Sequence, residues 1–276
     1  MPTPTNITVL TYNVWNVWRI GRQAYNRDDM IADVLLENAP DIACLQEFDG
    51  PFRHEENNLI KMISHEYTEA KPDSVPEDDN WNPVFYRNGL FTLIECGHHV
   101  YKYGTEYTYR LTSRSHFRTA TWAVLRHSVT GEVITVVNTH YDTDESNHLS
   151  ESNELSDIAG ELYEKYGGHI LVTGDYNCRV RGIAVQNMFS RGFKDTEALA
   201  EDNQATSGCH PYPVLNEETH LYDTYDDNFY AHTYDEAIDH IMLYGSARVK
   251  SYKTVINERT LLTSDHSPVT VQMTLM

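Results

Sequence analysis

Four cysteines in 276 residues, with no CxxC pair among them, leave little for a disulfide framework or a thiolate zinc cluster. Cys44, Cys96, Cys178 and Cys209 lie far apart, so reduced thiols and a cytoplasmic setting are the expectation; a chain secreted after loss of a signal peptide would carry the same residues. Basic side chains are also scarce: 21 Lys and Arg stand against 41 Asp and Glu, a formal net charge of −20, and no long basic run occurs. Such a field repels nucleic acid and anionic membranes, and a phosphate-bearing substrate would need a cation as mediator. Long apolar runs are missing too. The longest, near 132–137 and 169–172, are far too short to span a bilayer, and the opening Met-Pro-Thr-Pro-Thr has neither a basic nor an apolar leader region. Linker-like composition, low-complexity tracts and fixed-period repeats are absent, which implies one domain over 1–276.

What is present is a folded chain, 40% apolar and 22% charged. Strand and helix signals alternate. Ile7 to Val14 is rich in β-branched residues; Asp28 to Asn38 places Ile31, Val34 and Leu35 at helical spacing before Pro40; Asp41 to Phe48 reads as the next strand. A polar helix around Glu55 to Ser64, an acidic loop from Lys71 to Asn80, short strands at Val84 to Tyr86 and Phe91 to Cys96 and a tyrosine-rich stretch to Ser115 follow. Thr119 to Arg126 and Glu132 to Thr139 flank the hairpin signal Thr130-Gly131. The clearest helix carries Leu155, Ile158, Ala159, Leu162, Tyr163 and Tyr166, capped by Gly167-Gly168, before a buried strand at His169 to Thr173. Residues 181–190 read as helical and 201–234 as a long polar loop. Strands resume at Ala237 to Leu243, Val249 to Val255 and Val269 to Thr274. The class is α/β or α+β with much antiparallel sheet.

Polar residues recur at strand ends: Asn13, Glu47, His140, Asp175 with Asn177, Asp239, and Asp265-His266. Taken singly, each reads equally as a turn residue, a helix cap or a satisfied core group. Repeated over six strands delivered to one sheet end, they read as a catalytic constellation on a rigid scaffold.

In order, the motifs are Thr11-Tyr-Asn-Val-Trp, Leu45-Gln-Glu, Asn82-Pro-Val-Phe-Tyr, Arg118-Thr-Ala-Thr-Trp, Asn138-Thr-His, Gly174-Asp-Tyr-Asn, Ile238-Asp-His-Ile and Ser264-Asp-His-Ser-Pro. Over essentially its whole length the chain resembles the endonuclease/exonuclease/phosphatase superfamily, which includes deoxyribonuclease I, abasic endonucleases, inositol polyphosphate 5-phosphatases, deadenylases and neutral sphingomyelinases. The resemblance implies a four-layered α/β/β/α sandwich of two mixed, largely antiparallel sheets. It implies Glu47 as principal ligand of Mg²⁺ or Mn²⁺, with Asn13 and Asp265 alongside, and Asp175 as the base that deprotonates water. Asn177 would hold a phosphoryl oxygen, His266 steered by Asp239 would stabilise the transition state, His140 would contact the phosphate or assist the leaving oxygen, and Arg118 would bind phosphate. Hard oxygen donors without cysteine suit such an ion. An Asp-His pair also fixes the imidazole tautomer and raises its basicity.

Two departures from near relatives are visible. The glutamate usual before the Asn82 strand is replaced by Asp78-Asp-Asn-Trp81, and the arginine usual on the helix after His140 gives way to Glu151-Ser-Asn-Glu. Of nineteen tyrosines, four stand in Tyr101 to Tyr109 and five in Tyr212 to Tyr234, where they either anchor loops or stack on a substrate. His210, His220 and His232 fit no ligand spacing. Arg110, Arg114, Arg118, Arg126, Arg179 and Arg181 could together form a small cationic pocket for one or two phosphates. The expected function is a divalent-metal-dependent phosphohydrolase, a phosphodiesterase of a small or lipid-derived phosphoester. A Mg²⁺-dependent nuclease and a non-catalytic binding module on the same fold are the alternatives.

Overall fold

A computed structural model describes residues 5–16, 24–48, 58–73, 81–109, 112–206, 212–226 and 236–275, and the side chains of all of these except 105–116. Two sheets face each other. One has seven strands in the order β10-β14-β15-β1-β2-β4-β3, built from β1 (Thr5–Asn13), β2 (Ile42–Gln46), β3 (Tyr67–Glu69), β4 (Val84–Arg87), β10 (Asp202–Gln204), β14 (Arg248–Thr254) and β15 (Val269–Leu275). The other has six in the order β5-β6-β7-β8-β13-β9, from β5 (Phe91–Tyr109), β6 (Thr112–His127), β7 (Val133–His140), β8 (His169–Asp175), β9 (Lys194–Asp195) and β13 (Asp239–Tyr244).

Alternation along each strand sorts the side chains into layers. Ile7 and Val9 of β1, Ile42 and Cys44 of β2, Ile134 and Val136 of β7, and Leu171 of β8 fill the space between the sheets. Leu10, Tyr12, Ala43 and Leu45 face outward onto α1 (Arg27–Asn38) and α2 (Asn58–Ile63). Val137 and Val172 face α3 (Glu145–Tyr166) and α4 (Ile183–Ser190) on the opposite side. This is the four-layered α/β/β/α sandwich. Each sheet is mixed. β1 and β2 run parallel, as do β7 and β8, while β13 runs antiparallel to β8 and β15 to β1.

Several elements are longer or more numerous than the sequence suggests. The strand expected at Phe91 to Cys96 continues through the tyrosine-rich stretch to Tyr109 and pairs with all of β6, with register shifts near Glu95 and Gly104. The stretch 201–234 is not one loop: it contains β10 and a hairpin of β11 (Tyr212–Leu215) with β12 (Tyr222–Asp226). Two short helices, α5 (Thr196–Leu199) and α6 (Glu258–Thr263), had no apolar periodicity to reveal them. Among the described residues no helix is long and apolar enough to cross a membrane.

Candidate active site

The parity that builds the core also builds the site. Continuing the inward series, β1 ends on Thr11 and Asn13, β2 on Gln46, β7 on Asn138 and His140, and β8 on Thr173 and Asp175; Asp239 begins the inward series of β13. In register, Asn13 lies beside Gln46, His140 beside Asp175 and Asp239 opposite Asp175. All these ends meet at one rim of the sandwich, the carboxyl ends of both parallel pairs, where open sheets bind ligands.

Asp175 is the hub. Its Oδ1 accepts the Asn177 N–H at 2.8 Å, and its Oδ2 accepts the Asn13 side-chain amide at 3.0 Å. The same Oδ2 lies 3.4 Å from His140 Nε2 and 3.6 Å from His266 Nε2. His266 Nδ1 is 2.7 Å from Asp239 Oδ2. Burial, and after it the Asp239 carboxylate, pushes the Asp175 carboxyl up to about 6 against the pull of His266. Burial opposes charge on His266, but Asp239 and Asp175 beside it override that and hold the imidazole well above its ordinary value.

Asn13 joins this group to a second one. It also donates to Glu47 Oε1 at 3.1 Å, and Glu47 Oε2 accepts the Asn16 N–H at 2.7 Å. Asp265 is pushed up to about 7 by burial and by Glu47 and Asp175 nearby, with His266 pulling the other way. Glu47 sits at a φ of 57° and Asn177 at 44°, left-handed conformations that aim their side chains back across the rim. Buried carboxyls held up in this manner gain from a hard cation that neutralises them, and their oxygens are the donors such a cation takes. The ligand atoms of Asp175, Asp239 and His266 also lie within 4.8 Å of one another, a spacing that could hold a metal ion.

His140 is oriented by its neighbours. Arg118 Nη1 is 3.0 Å from Nδ1. A guanidinium can only donate, so Nδ1 accepts, and the proton of the neutral ring sits on Nε2 toward Asp175. Asn177 Nδ2, also 3.0 Å from that nitrogen, then gives its N–H to the Tyr141 carbonyl at 2.9 Å.

All nine residues singled out from the sequence are therefore gathered at one rim. Of the wider cationic pocket, Arg126 is excluded. Arg126 pairs with Val133 at the opposite end of β6 from Thr119, which pairs with His140, so Arg126 cannot reach the site. Arg110 and the Arg114 side chain lie outside the described residues, as do Asp78 to Asn80, His210, His232, Tyr230 and Tyr234. Three of the tyrosines anchor structure: Tyr101 is buried with its hydroxyl 2.7 Å from Thr139 Oγ1, and Tyr212 and Tyr222 pack on Trp15, whereas Tyr103 is half exposed.

Supporting residues were not distinguished by the sequence. Gln46 donates to Asn138 Oδ1 at 2.6 Å, Asn138 donates to the Leu45 and Pro83 carbonyls, and Asn82 donates to Thr119, so a buried polar clasp ties the sheets together beneath the rim. Ser264 donates to the Asn13 carbonyl at 2.7 Å and accepts the His266 N–H at 3.1 Å. Buried Arg27 donates to the carbonyls of Trp15 and Thr263, bracing the segments that carry Asn13 and Asp265. The visible signal was a polar side chain at an inward position of a β-branched strand, as in Asn138.

A model of the endonuclease/exonuclease/phosphatase family matches residues 10–266. The chain belongs to that family. A family member from Bacteroides thetaiotaomicron superposes with a TM-score of 0.76 at 19% identity, covering 99% of each chain. A mannosyl-6-phosphatase from Bacteroides thetaiotaomicron VPI-5482 gives 0.71 at 19% identity, covering 97% of this chain and 99% of that one. The human nocturnin catalytic domain with bound sulfate gives 0.66 at 15% identity, covering 100% and 97%. At these identities the likeness establishes the fold. No curated protein matches the chain.

Proposed function

We propose that this family member is a divalent-metal-dependent phosphoester hydrolase acting on a compact substrate. The observation that carries the reading is Asp175, buried between the Asp239–His266 pair and the Asn13–Glu47 pair, so that an acid–base group and an oxygen-donor group share one centre. His266 Nδ1 and Asp239 Oδ2 share a proton at 2.7 Å and are engaged with each other. Glu47 and Asp265, with Asn13 alongside, are thus the residues that would hold Mg²⁺ or Mn²⁺, which when bound neutralises phosphoryl oxygens and lowers the pKa of water.

The chain's own groups do the rest. Asp175, ionised above about pH 6, accepts a proton from the attacking water. The His266 imidazolium, oriented by Asp239, meets the charge that develops on the phosphoryl oxygens, and the Asn177 side chain adds a neutral donor. Arg118 binds the incoming anion and keeps the His140 proton on Nε2, facing the reacting group. The phosphodiester preference expected from the sequence has no separate support here, because the rim handles one phosphoryl group whatever its second substituent. The charge of −20 favours a compact substrate over the nuclease alternative, since nucleic-acid binders gain affinity by releasing counterions from successive phosphates.

The test is a panel of phosphomonoesters, phosphodiesters, phospholipids and plasmid DNA in one Mg²⁺ buffer, with and without chelator. Turnover of a compact ester that is abolished by chelator is expected, together with weakened metal binding in a folded Glu47→Gln. Chelator-resistant turnover would remove the metal, and rapid, salt-sensitive plasmid degradation would promote the nuclease.

A further inference from the structure

Beside the carboxylate rim lies a cavity of about 260 Å³, bounded by the turn after β8, α5, the end of β10 and the approach to β13. Val180, Arg181, Glu197, Thr206, Glu236 and His240 are among its walls. Two of its borders adjoin site residues along the chain. His240 follows Asp239, whose side chain leaves β13 on the opposite face, and Val180 stands three residues beyond Asn177. The His240 ring is fixed: Nε2 donates to the Cys178 carbonyl at 2.8 Å, and the ring lies 5.2 Å from that of Tyr176.

The lining selects its ligand. Glu236 Oε2 is buried without a hydrogen-bond partner, a position that costs free energy until a donor arrives. Glu197 is half-buried, and burial with Asp195 nearby pushes its carboxyl up. A second phosphate would meet two carboxylates against the single guanidinium of Arg181. An acyl chain would seal those carboxylates from water without satisfying them. A hydroxyl group does satisfy them, because it donates to a carboxylate and accepts from a guanidinium at once. The volume falls just below the roughly 300–1,000 Å³ of sites for drug-sized ligands, which suits a single small ring or an open polyol.

We propose that this cavity is the subsite for the alcohol half of the substrate and takes a hydroxyl-rich group of monosaccharide size, with Glu236 and Glu197 accepting from its hydroxyls and Arg181 donating to its oxygens. The assignment rests on the phosphoester reading for its place in the reaction, but the cavity itself can be tested without it.

Two measurements on the full chain separate the ideas. The first compares kcat and KM for sorbitol 6-phosphate and phenyl phosphate in Mg²⁺, for wild type, Glu236→Gln and Arg181→Met. Both variants should cut the preference for the polyol ester about tenfold or more, chiefly through KM. The second follows saturation transfer to phosphate-free sorbitol by NMR in chelator, where no turnover occurs. Transfer to sorbitol in the wild type, lost in both variants while their thermal melts stay unchanged, supports the subsite even if no phosphoester is turned over, an outcome that would sink only the phosphoester reading. Equal transfer in all three proteins, or an unaltered substrate preference in an active enzyme, overturns the subsite.

Discussion

Asp175 and His266 lie 3.6 Å apart, and in the proposed mechanism they would act on one transition state from opposite sides of that contact. Asp175→Asn removes the proton acceptor and His266→Ala the facing cation, so each should lower kcat by roughly 10² or more. Because the groups work as a unit, the double variant should resemble the worse single one; multiplicative losses in steady-state kinetics would show that they act independently. Glu151 poses a different problem. Both of its oxygens lie 3.1 Å from the Asp142 N–H, and burial, with Asp142 and Glu154 nearby, pushes its carboxyl up to about 8 despite Arg118. Tyr101 and Tyr141 also sense its charge. A pKa raised on folding means that the native state holds the proton more tightly. The stability contributed by this group is therefore complete below about pH 4.5 and is lost as pH rises to about 8. Glu151→Gln cannot ionise, so its stability relative to wild type should climb across that window, by an order of magnitude of a few kcal/mol. Parallel curves of Tm against pH for the two proteins would refute this.

At the level of elements, the strands that carry the chemistry were legible and the pieces that join them were not. β1, β7 and β8 combine β-branched runs, and β2 and β13 apolar runs, with a polar last or first inward residue, and such local patterns survive without tertiary context. The hairpin of β11 and β12 is legible only through partners: Tyr212 and Tyr222 owe their places to Trp15, some two hundred residues away in sequence. α6 is six residues long, and its start is set by a capping box between Asn257 and Thr260, not by an apolar stripe. Arg126, by contrast, looked usable in the sequence and is excluded by strand register alone. The same dependence on register makes Gly174 critical. It lies between Thr173 and Asp175 at a φ of 144°, and a Cβ there would meet the Thr139 carbonyl oxygen of the parallel neighbour at 1.9 Å. Gly174→Ala must push β8 away from β7 while adopting a backbone shape closed to alanine, at a cost of roughly 2–4 kcal/mol. A fall in Tm of about 5 °C or more is expected, together with loss of activity as Asp175 moves from His140; a melt within a degree of wild type would mean that the strands are less tightly coupled than they look.

Across the whole molecule, the site is divided between the halves of the sandwich. Asn13 ends a strand of the seven-stranded sheet and Glu47 directly follows another, while His140, Asp175 and Asp239 belong to the six-stranded one, so the 3.0 Å bond from Asn13 to Asp175 spans the gap between sheets. Beneath it the Gln46–Asn138 clasp ties the sheets by side chains, where among the described residues no backbone ladder joins them. Misplacing reacting groups by about 1 Å can cost 10² in rate, whereas a ladder of backbone hydrogen bonds within either sheet is indifferent to a slip of that size against the other. Catalytic competence in this chain is accordingly a vernier on the alignment of two slabs. Circular dichroism counts strands, but turnover records whether those strands still face each other in step.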